Sequence, residues 1–157
     1  MAKWPGKKFE EDLVRKADEI YDVHRIRDVQ WYFGSASIAD FAIFNWHIKI
    51  YLEAKTTQGK SLPFGNISDT QRPLQEEKWK KGIDNLYIGF VVNFRKRDNA
   101  TFYVDYKKLW SFRDNANRKS FPLKWFQKTG TKIPCTLRRS RYDYDLSTLF
   151  YKLTEWD

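Results

Sequence analysis

The first part of the chain carries a helical pattern of apolar residues. From residue 7 to residue 24, apolar side chains recur at intervals of three and four, which predicts one amphipathic helix. The buried stripe of this predicted helix consists of Phe9, Leu13, Ala17, Ile20, Tyr21 and His24. Glu10 lies beside the stripe, so we expect its carboxylate to be half-buried. The alternative interpretation of Glu10 is a first-turn glutamate that complements the helix dipole.

Strand patterns follow in three runs, at residues 29–33, 38–44 and 48–56. Gly34-Ser35 is typical of a turn, and Asn45-Trp46-His47 is typical of a hairpin connection. The three runs therefore predict an antiparallel meander.

The second half of the chain alternates between helical and strand patterns. Residues 57–67 predict a loop, and the helix after it begins either at a capping box around Ser68 or only at Pro73, which would leave Gln71 in the preceding turn. The apolar run Leu86–Phe94 predicts a central strand covered on both faces. A strand at 101–105, a short helix at 106–112, a basic irregular region and a terminal helix at 145–156 complete the order.

This order of elements predicts an α/β fold, with a mixed central β-sheet flanked by helices. The chain has 157 residues, the size of one ordinary domain, and shows no repeat or linker that divides it. We therefore predict a single domain over residues 1–157.

Composition narrows the classes of partner. Charged residues make up 31% of the chain, which excludes a membrane span. The net charge of +9 favours a polyanion: nucleic acid, an acidic protein or an anionic membrane surface. Aromatic residues make up 18%, and with this charge they favour stacking on nucleic-acid bases, although core filling explains them equally well.

Cysteine and histidine are scarce, with one and two copies. A disulfide framework and a cysteine zinc site are therefore excluded, and any metal must be held mainly by carboxylates, which points to Mg²⁺ or Mn²⁺. The N-terminus lacks the apolar segment of a signal peptide, so we expect a cytoplasmic protein.

Three charged residues form the candidate chemical centre. Glu53 and Lys55 are two residues apart on a predicted strand, so they share one face. The predicted hairpin places Asp40 across from Glu53, which would bring two carboxylates beside one ammonium group. A Glu–Lys pair on a solvated strand face is the alternative interpretation.

Phosphodiester hydrolysis is the chemistry that this set would serve. Asp40 and Glu53 would bind a divalent cation, which neutralises the phosphate and activates water. Lys55 would orient that water and stabilise charge on the phosphate. Glu10 would add a ligand directly or through water, and Gln71 would hold the water or a phosphate oxygen.

Asp40 followed by Glu53-Ala54-Lys55 resembles the signature of the PD-(D/E)xK nucleases, with Ala39 where proline often stands. The wider layout is similar to the RecU-type Holliday junction resolvases. The matching segments are Gly6-Lys7-Lys8-Phe9-Glu10, Ser37-Ile38-Ala39-Asp40-Phe41, Leu62-Pro63-Phe64, Ile67 and Gln71 (with Thr70 in place of a histidine), Gly89-Phe90-Val91-Val92 and Thr101-Phe102-Tyr103.

The resemblance implies a restriction-endonuclease-like core and a homodimer that makes paired, symmetric cuts in four-way DNA junctions. It implies Mg²⁺ as cofactor, with Mn²⁺ as a substitute, and Asp40, Glu53, Lys55, Glu10 and Gln71 as site residues. The family's long stalk insertion has no room within residues 29–35, so an archaeal-type or phage resolvase, the latter acting in the host cytoplasm, fits equally well. The other readings are a restriction-like or repair nuclease on duplex or nicked DNA, and a non-catalytic nucleic-acid binder.

Basic clusters predict the DNA-contacting surface, since cations neutralise phosphates. The predicted contacts, with Ser37 included from the resemblance, are Lys7, Lys8, Ser37, Lys60, Arg95, Lys96, Arg97, Arg138, Arg139 and Arg141. Solubilising surface charge is the alternative for any single lysine.

Overall fold

A mixed six-stranded sheet lies at the centre of the computed structural model, which describes residues 4–26, 29–31 and 34–155. The described strands are β1 (Asp22–Arg25), β2 (Val29–Trp31), β3 (Gly34–Ala36), β4 (Phe41–Phe44), β5 (Lys49–Thr57), β6 (Ser61–Pro63), β7 (Leu86–Phe94), β8 (Ala100–Asp105), β9 (Ser120–Pro122), β10 (Thr131–Lys132), β11 (Cys135–Arg138) and β12 (Arg141–Tyr144). The described helices are α1 (Pro5–Arg15), α2 (Gln71–Lys80), α3 (Tyr106–Asn115), α4 (Leu123–Thr129) and α5 (Ser147–Thr154), with short 3₁₀ turns at Ala17–Glu19 and Phe64–Asn66.

The strand order of the sheet is β1-β4-β5-β7-β8-β10. Strands β5 and β7 run parallel, because the connection between them carries α2, and the other neighbours are antiparallel. The predicted mixed sheet flanked by helices is confirmed, and β7 has the predicted bounds. Buried side chains cover β7 on both faces, which is why its sequence is almost continuously apolar.

Two apolar clusters cover the two faces of the sheet. On one face α1 and α5 contribute Phe9, Leu13, Leu149 and Phe150. On the other face α3 and α4 contribute Tyr106, Leu109, Trp110 and Phe126. No described helix has both the length and the apolar character needed to cross a membrane.

The predicted helix over residues 7–24 is too long. Helix α1 ends at Arg15, a 3₁₀ turn follows, and His24 lies in strand β1. The first part of the stripe is buried as expected, but Ile20 is 62% exposed. Strand β1 forms because it pairs with β4 along the edge of the sheet, and this long-range pairing overrides the local helical period.

The meander is also partly wrong. The neighbours of β4 in the sheet are β5 and β1, whereas β2 pairs with β3 in a separate two-stranded ribbon. Gly34-Ser35, predicted as a turn, belongs to β3, and Phe33 lies outside the described residues. The hairpin between β4 and β5 is confirmed.

Smaller differences concern element ends. Strand β4 begins at Phe41 rather than at residue 38, and α2 begins at Gln71, before Pro73. The predicted loop over 57–67 contains β6, which pairs with β9. The region after α3, predicted as irregular, contains β9, α4, β10 and the β11–β12 hairpin.

Candidate active site

Asp40 directly precedes β4 and lies opposite Glu53. The pairing of Phe41 with Leu52 sets this register. The Asp40 N–H donates to the Leu52 carbonyl at 3.0 Å, and the Ala54 N–H donates to Asp40 Oδ2 at 2.8 Å. The backbone of β5 therefore fixes the Asp40 carboxylate, and the predicted proximity to Glu53 is confirmed.

Glu53 and Lys55 share the face of β5 that lies against α2. The Lys55 Nζ atom is 3.4 Å from Glu53 Oε1. Glu53 is 5% exposed, although it carries an ionisable group. A solvated Glu–Lys pair is therefore excluded, because the carboxylate is buried in the sheet.

Gln71 holds the second oxygen of Glu53. As the first residue of α2, it donates from Nε2 to Glu53 Oε2 at 2.6 Å. Its own Oε1 atom is buried without a hydrogen-bond partner. An unpaired buried acceptor is costly, so this atom marks a place where a further donor is needed.

Burial raises the pKa values of both carboxyl groups, and a neighbouring carboxylate adds to each shift. Burial is the largest cause for Glu53, whose pKa rises to about 7, and the Asp40 charge raises it further against the effects of Lys55 and Gln71. Burial also raises the pKa of Asp40 to about 6, with a contribution from Glu10, while the Ala54 N–H and Lys55 oppose it. A cation between the two carboxylates would relieve this repulsion.

Glu10 approaches the site from α1. Its Oε2 atom accepts a hydrogen bond from Arg25 Nη1 at 3.2 Å, and its charge acts on Asp40. Among the described residues, no three His, Cys, Asp or Glu side chains gather closely enough to hold a metal together. The assignment of Glu10 as a third metal ligand stays a prediction.

A cleft of about 650 Å³ opens beside these residues. Its lining is Gly6, Lys7, Glu10, Arg25, Ala54, Lys55, Thr56 and Asn66. The cleft brings together Lys7, Glu10 and Lys55 from the sequence prediction. Arg25 and Asn66 were missed, and Arg25 was missed because the overlong helix prediction obscured the strand that carries it.

The other residues that we predicted to contact DNA lie in separate regions of the structure. The turn with Arg95, Lys96 and Arg97 lies at the same sheet end as Lys55, since the Arg95 N–H donates to the Thr57 carbonyl at 3.0 Å. Lys60 is exposed in the loop after β5. Two further predicted residues, Lys8 and Ser37, are half-buried. The three remaining arginines, Arg138, Arg139 and Arg141, are exposed on the β11–β12 hairpin.

Comparison with known proteins agrees with this architecture. The family model of recombination protein U matches residues 13–144, which include Asp40, Glu53, Lys55 and Gln71. The chain belongs to the recombination protein U family. Glu10 lies outside the matched residues. The resemblance to this family that the sequence motifs indicated is thereby confirmed.

Among solved structures, the fold is similar to that of Hjc from Archaeoglobus fulgidus, a Holliday junction resolvase from an archaeal hyperthermophile. The TM-score is 0.53 at 16% identity, over 81% of this chain and 95% of that chain. At this identity the similarity concerns the fold alone. No curated protein sequence matches the chain at a significant level.

Proposed function

We propose that this protein is a Holliday junction resolvase that hydrolyses phosphodiester bonds of four-way DNA junctions with the help of a divalent cation. Membership of the recombination protein U family and the resolvase-like fold support this function. The observation that carries the hydrolytic chemistry is the Asp40–Glu53 pair, held across β4 and β5 beside Lys55.

The donor set fits a hard cation. Two carboxylates with raised pKa values and an amide oxygen without a partner lie within one buried cluster, and Mg²⁺ or Mn²⁺ prefers such oxygen ligands. Asp40 and Glu53 would hold the cation. A cation bound there would neutralise the phosphate and lower the pKa of the attacking water.

The chain's own groups account for the rest of the chemistry. The Lys55 ammonium, which lies 3.4 Å from Glu53 Oε1, would donate to the attacking water and stabilise negative charge on the phosphate. Gln71 orients the Glu53 carboxylate, and its free Oε1 atom can accept a hydrogen bond from the water. Glu10, paired with Arg25, would act at the rim of the cleft as an additional ligand through water.

Cations around the cleft would guide the DNA to this centre. Lys7 and Arg25 line the cleft, and Lys60 with the turn at 95–97 extends the basic surface at the same end of the sheet. These groups neutralise phosphates without reading sequence. Two symmetric cuts need two copies of the site at a fixed spacing, so we propose a C2 homodimer as the active form.

The test of this function compares substrates and metals. The protein should cut a four-way junction in Mg²⁺ or Mn²⁺, lose this activity in EDTA, and cut linear duplex of the same sequence much more slowly. Linear duplex cut as fast as the junction would indicate a restriction-like or repair nuclease. Junction binding without cleavage in any divalent metal would indicate a non-catalytic binder.

A further inference from the structure

The hairpin formed by β11 and β12 presents a cationic outer surface. Arg138 pairs with Arg141 across the hairpin, and Arg139 and Ser140 form the turn between them. The three arginines are exposed and border a hollow of about 710 Å³, in which Asp143 is the single acidic lining residue. Asp143 lies 3.4 Å from Arg138 Nε and offsets only part of this charge.

The inner side of the same hairpin is fixed to helix α1. The Tyr142 N–H donates to Asp12 Oδ2 at 3.3 Å, and Asp12, which is 2% exposed, pairs through its other oxygen with Arg15 at 2.7 Å. The rings of Phe9 and Tyr144 meet edge to face at 5.4 Å. A hydrogen bond and an aromatic contact therefore both attach the hairpin that carries the arginines to α1.

A buried polar network continues from the hairpin toward the active site. Asn99 Nδ2 donates to the Tyr144 hydroxyl at 2.8 Å, and Asn93 Nδ2 donates to Asn99 Oδ1 at 2.8 Å. The Thr56 hydroxyl donates to Asn93 Oδ1 at 2.9 Å. Thr56 follows Lys55 on β5, so hydrogen bonds connect the hairpin to the strand that carries the site.

Helix α1 separates the hairpin from the cleft. Phe9 and Asp12 contact the hairpin, whereas Gly6 and Glu10 line the cleft. Helix α1 therefore lies between the hairpin and the cleft. A DNA molecule that contacts both surfaces would span this helix.

We propose that the β11–β12 hairpin is a second DNA-binding surface, which grips the phosphate backbone of a junction arm away from the bond that is cut. The network through Asn99 and Tyr144 holds it at a fixed position relative to the carboxylate pair. This inference rests on the proposed function and adds a contact that the chemistry itself does not need.

The first experiment removes the cross-strand arginine pair. R138A/R141A should bind a four-way junction roughly a hundredfold more weakly, about tenfold per lost charge-assisted contact. Its slope of log affinity against log salt should fall by about 1.8 per protomer. The single-turnover cleavage rate at saturating junction should match that of the wild type, because the carboxylate pair is untouched.

Two control variants test whether the loss of affinity comes from the loss of positive charge on the hairpin. R138K/R141K keeps the positive charge and should have the salt slope of the wild type. K80A/K81A removes two exposed lysines at the C-terminal end of α2, and it should also have the wild-type salt slope. Equal affinity and slope for R138A/R141A and wild type would overturn the inference, even where the wild type cuts junctions. A wild type that cuts no junction would instead overturn the proposed function.

The second experiment weakens the attachment of the hairpin to the buried polar network. Y144F removes the hydroxyl that Asn99 bonds and keeps every arginine. Junction affinity should fall by roughly two- to fivefold with the salt slope unchanged, since one neutral hydrogen bond is lost while the charge is kept. Wild-type affinity in this variant would overturn the anchoring part of the proposal.

Discussion

Two polar clusters lie back to back on strand β5, and they differ in how well their groups are paired. On one face, Glu53 and Asp40 are both acidic, their pKa values are raised, and the neighbouring Gln71 oxygen has no partner. On the other face, Thr56 begins a neutral network in which Asn93 and Asn99 find matching donors and acceptors. The second cluster pairs its own polar groups, whereas the first leaves two acidic groups side by side and one acceptor without a partner.

The difference in pairing suggests a structural role for the Asn93 cluster and a functional role for the carboxylate cluster. Buried polar groups are tolerated where each is paired, so the Asn93 network stabilises the fold. Repelling buried carboxylates weaken the fold, and such pairs are typical of sites that bind a cation. Substitutions in the first cluster should therefore abolish activity at little cost in stability, and substitutions in the second should do the reverse.

The largest effect is expected for Asp40→Asn and Glu53→Gln. Each should lower the single-turnover cleavage rate by roughly a thousandfold or more, since cation binding supplies several kcal/mol. Junction affinity should remain, and the melting temperature at pH 8 should not fall, because a repulsion has been removed. Asp105→Asn, the same exchange at the cap of α3, is the control and should cut normally. Normal cleavage by the Asp40 or Glu53 variant would remove the contrast between the clusters.

A smaller loss of rate is expected for Lys55→Met. This change removes the ammonium next to Glu53 and should slow cleavage by about a hundredfold, the usual effect of losing one group that stabilises developing charge. Lys49→Met is the matched control, since Lys49 lies on the same face of β5 over Phe44 and Tyr51. If both variants cut equally fast, Lys55 serves the structure alone.

Asn93→Ala tests the opposite cluster. Asn93 is fully buried, and its loss leaves Thr56, Asn99 and Thr101 with missing partners. The free energy of unfolding, measured with urea, should fall by about 2–4 kcal/mol. The cleavage rate of the folded variant should stay within a few fold. Asn115→Ala, at an exposed helix end, should be nearly neutral. A stable but inactive Asn93 variant would show that the network takes part in the chemistry.

The smallest effect is a pH dependence of stability without metal. The folded protein holds protons on Glu53 and Asp40 more tightly than the unfolded chain, because their pKa values are raised to about 7 and about 6. Their contribution is complete below about pH 4 and is lost as the pH rises through 6 to 7. In EDTA, the melting temperature of the wild type relative to Glu53→Gln should therefore fall by a few degrees between pH 5 and pH 8. Added Mg²⁺ should reduce this difference, and parallel curves in EDTA would contradict the raised pKa values.

The sequence was sufficient for the centre of the site. The two-residue spacing of Glu53 and Lys55 fixes a common face in any strand, and the short connection at 45–47 requires a hairpin that brings Asp40 across. The apolar run of β7 likewise predicted a central strand covered on both faces, and the structure has it there. Local period and short connections decide such features, and both can be read along the chain.

Only the tertiary structure decided the surroundings of that centre. Residues 22–24 continue a helical pattern, but pairing with β4 draws residues 22–25 into a strand, and this places Arg25 beside Glu10. The buried contact of Gln71 with Glu53 depends on where α2 begins, which two conflicting local signals left open. The attachment of the β11–β12 hairpin to Asp12 spans 130 residues of sequence. Such contacts are set by which surfaces meet when the core forms, and no local period carries that information.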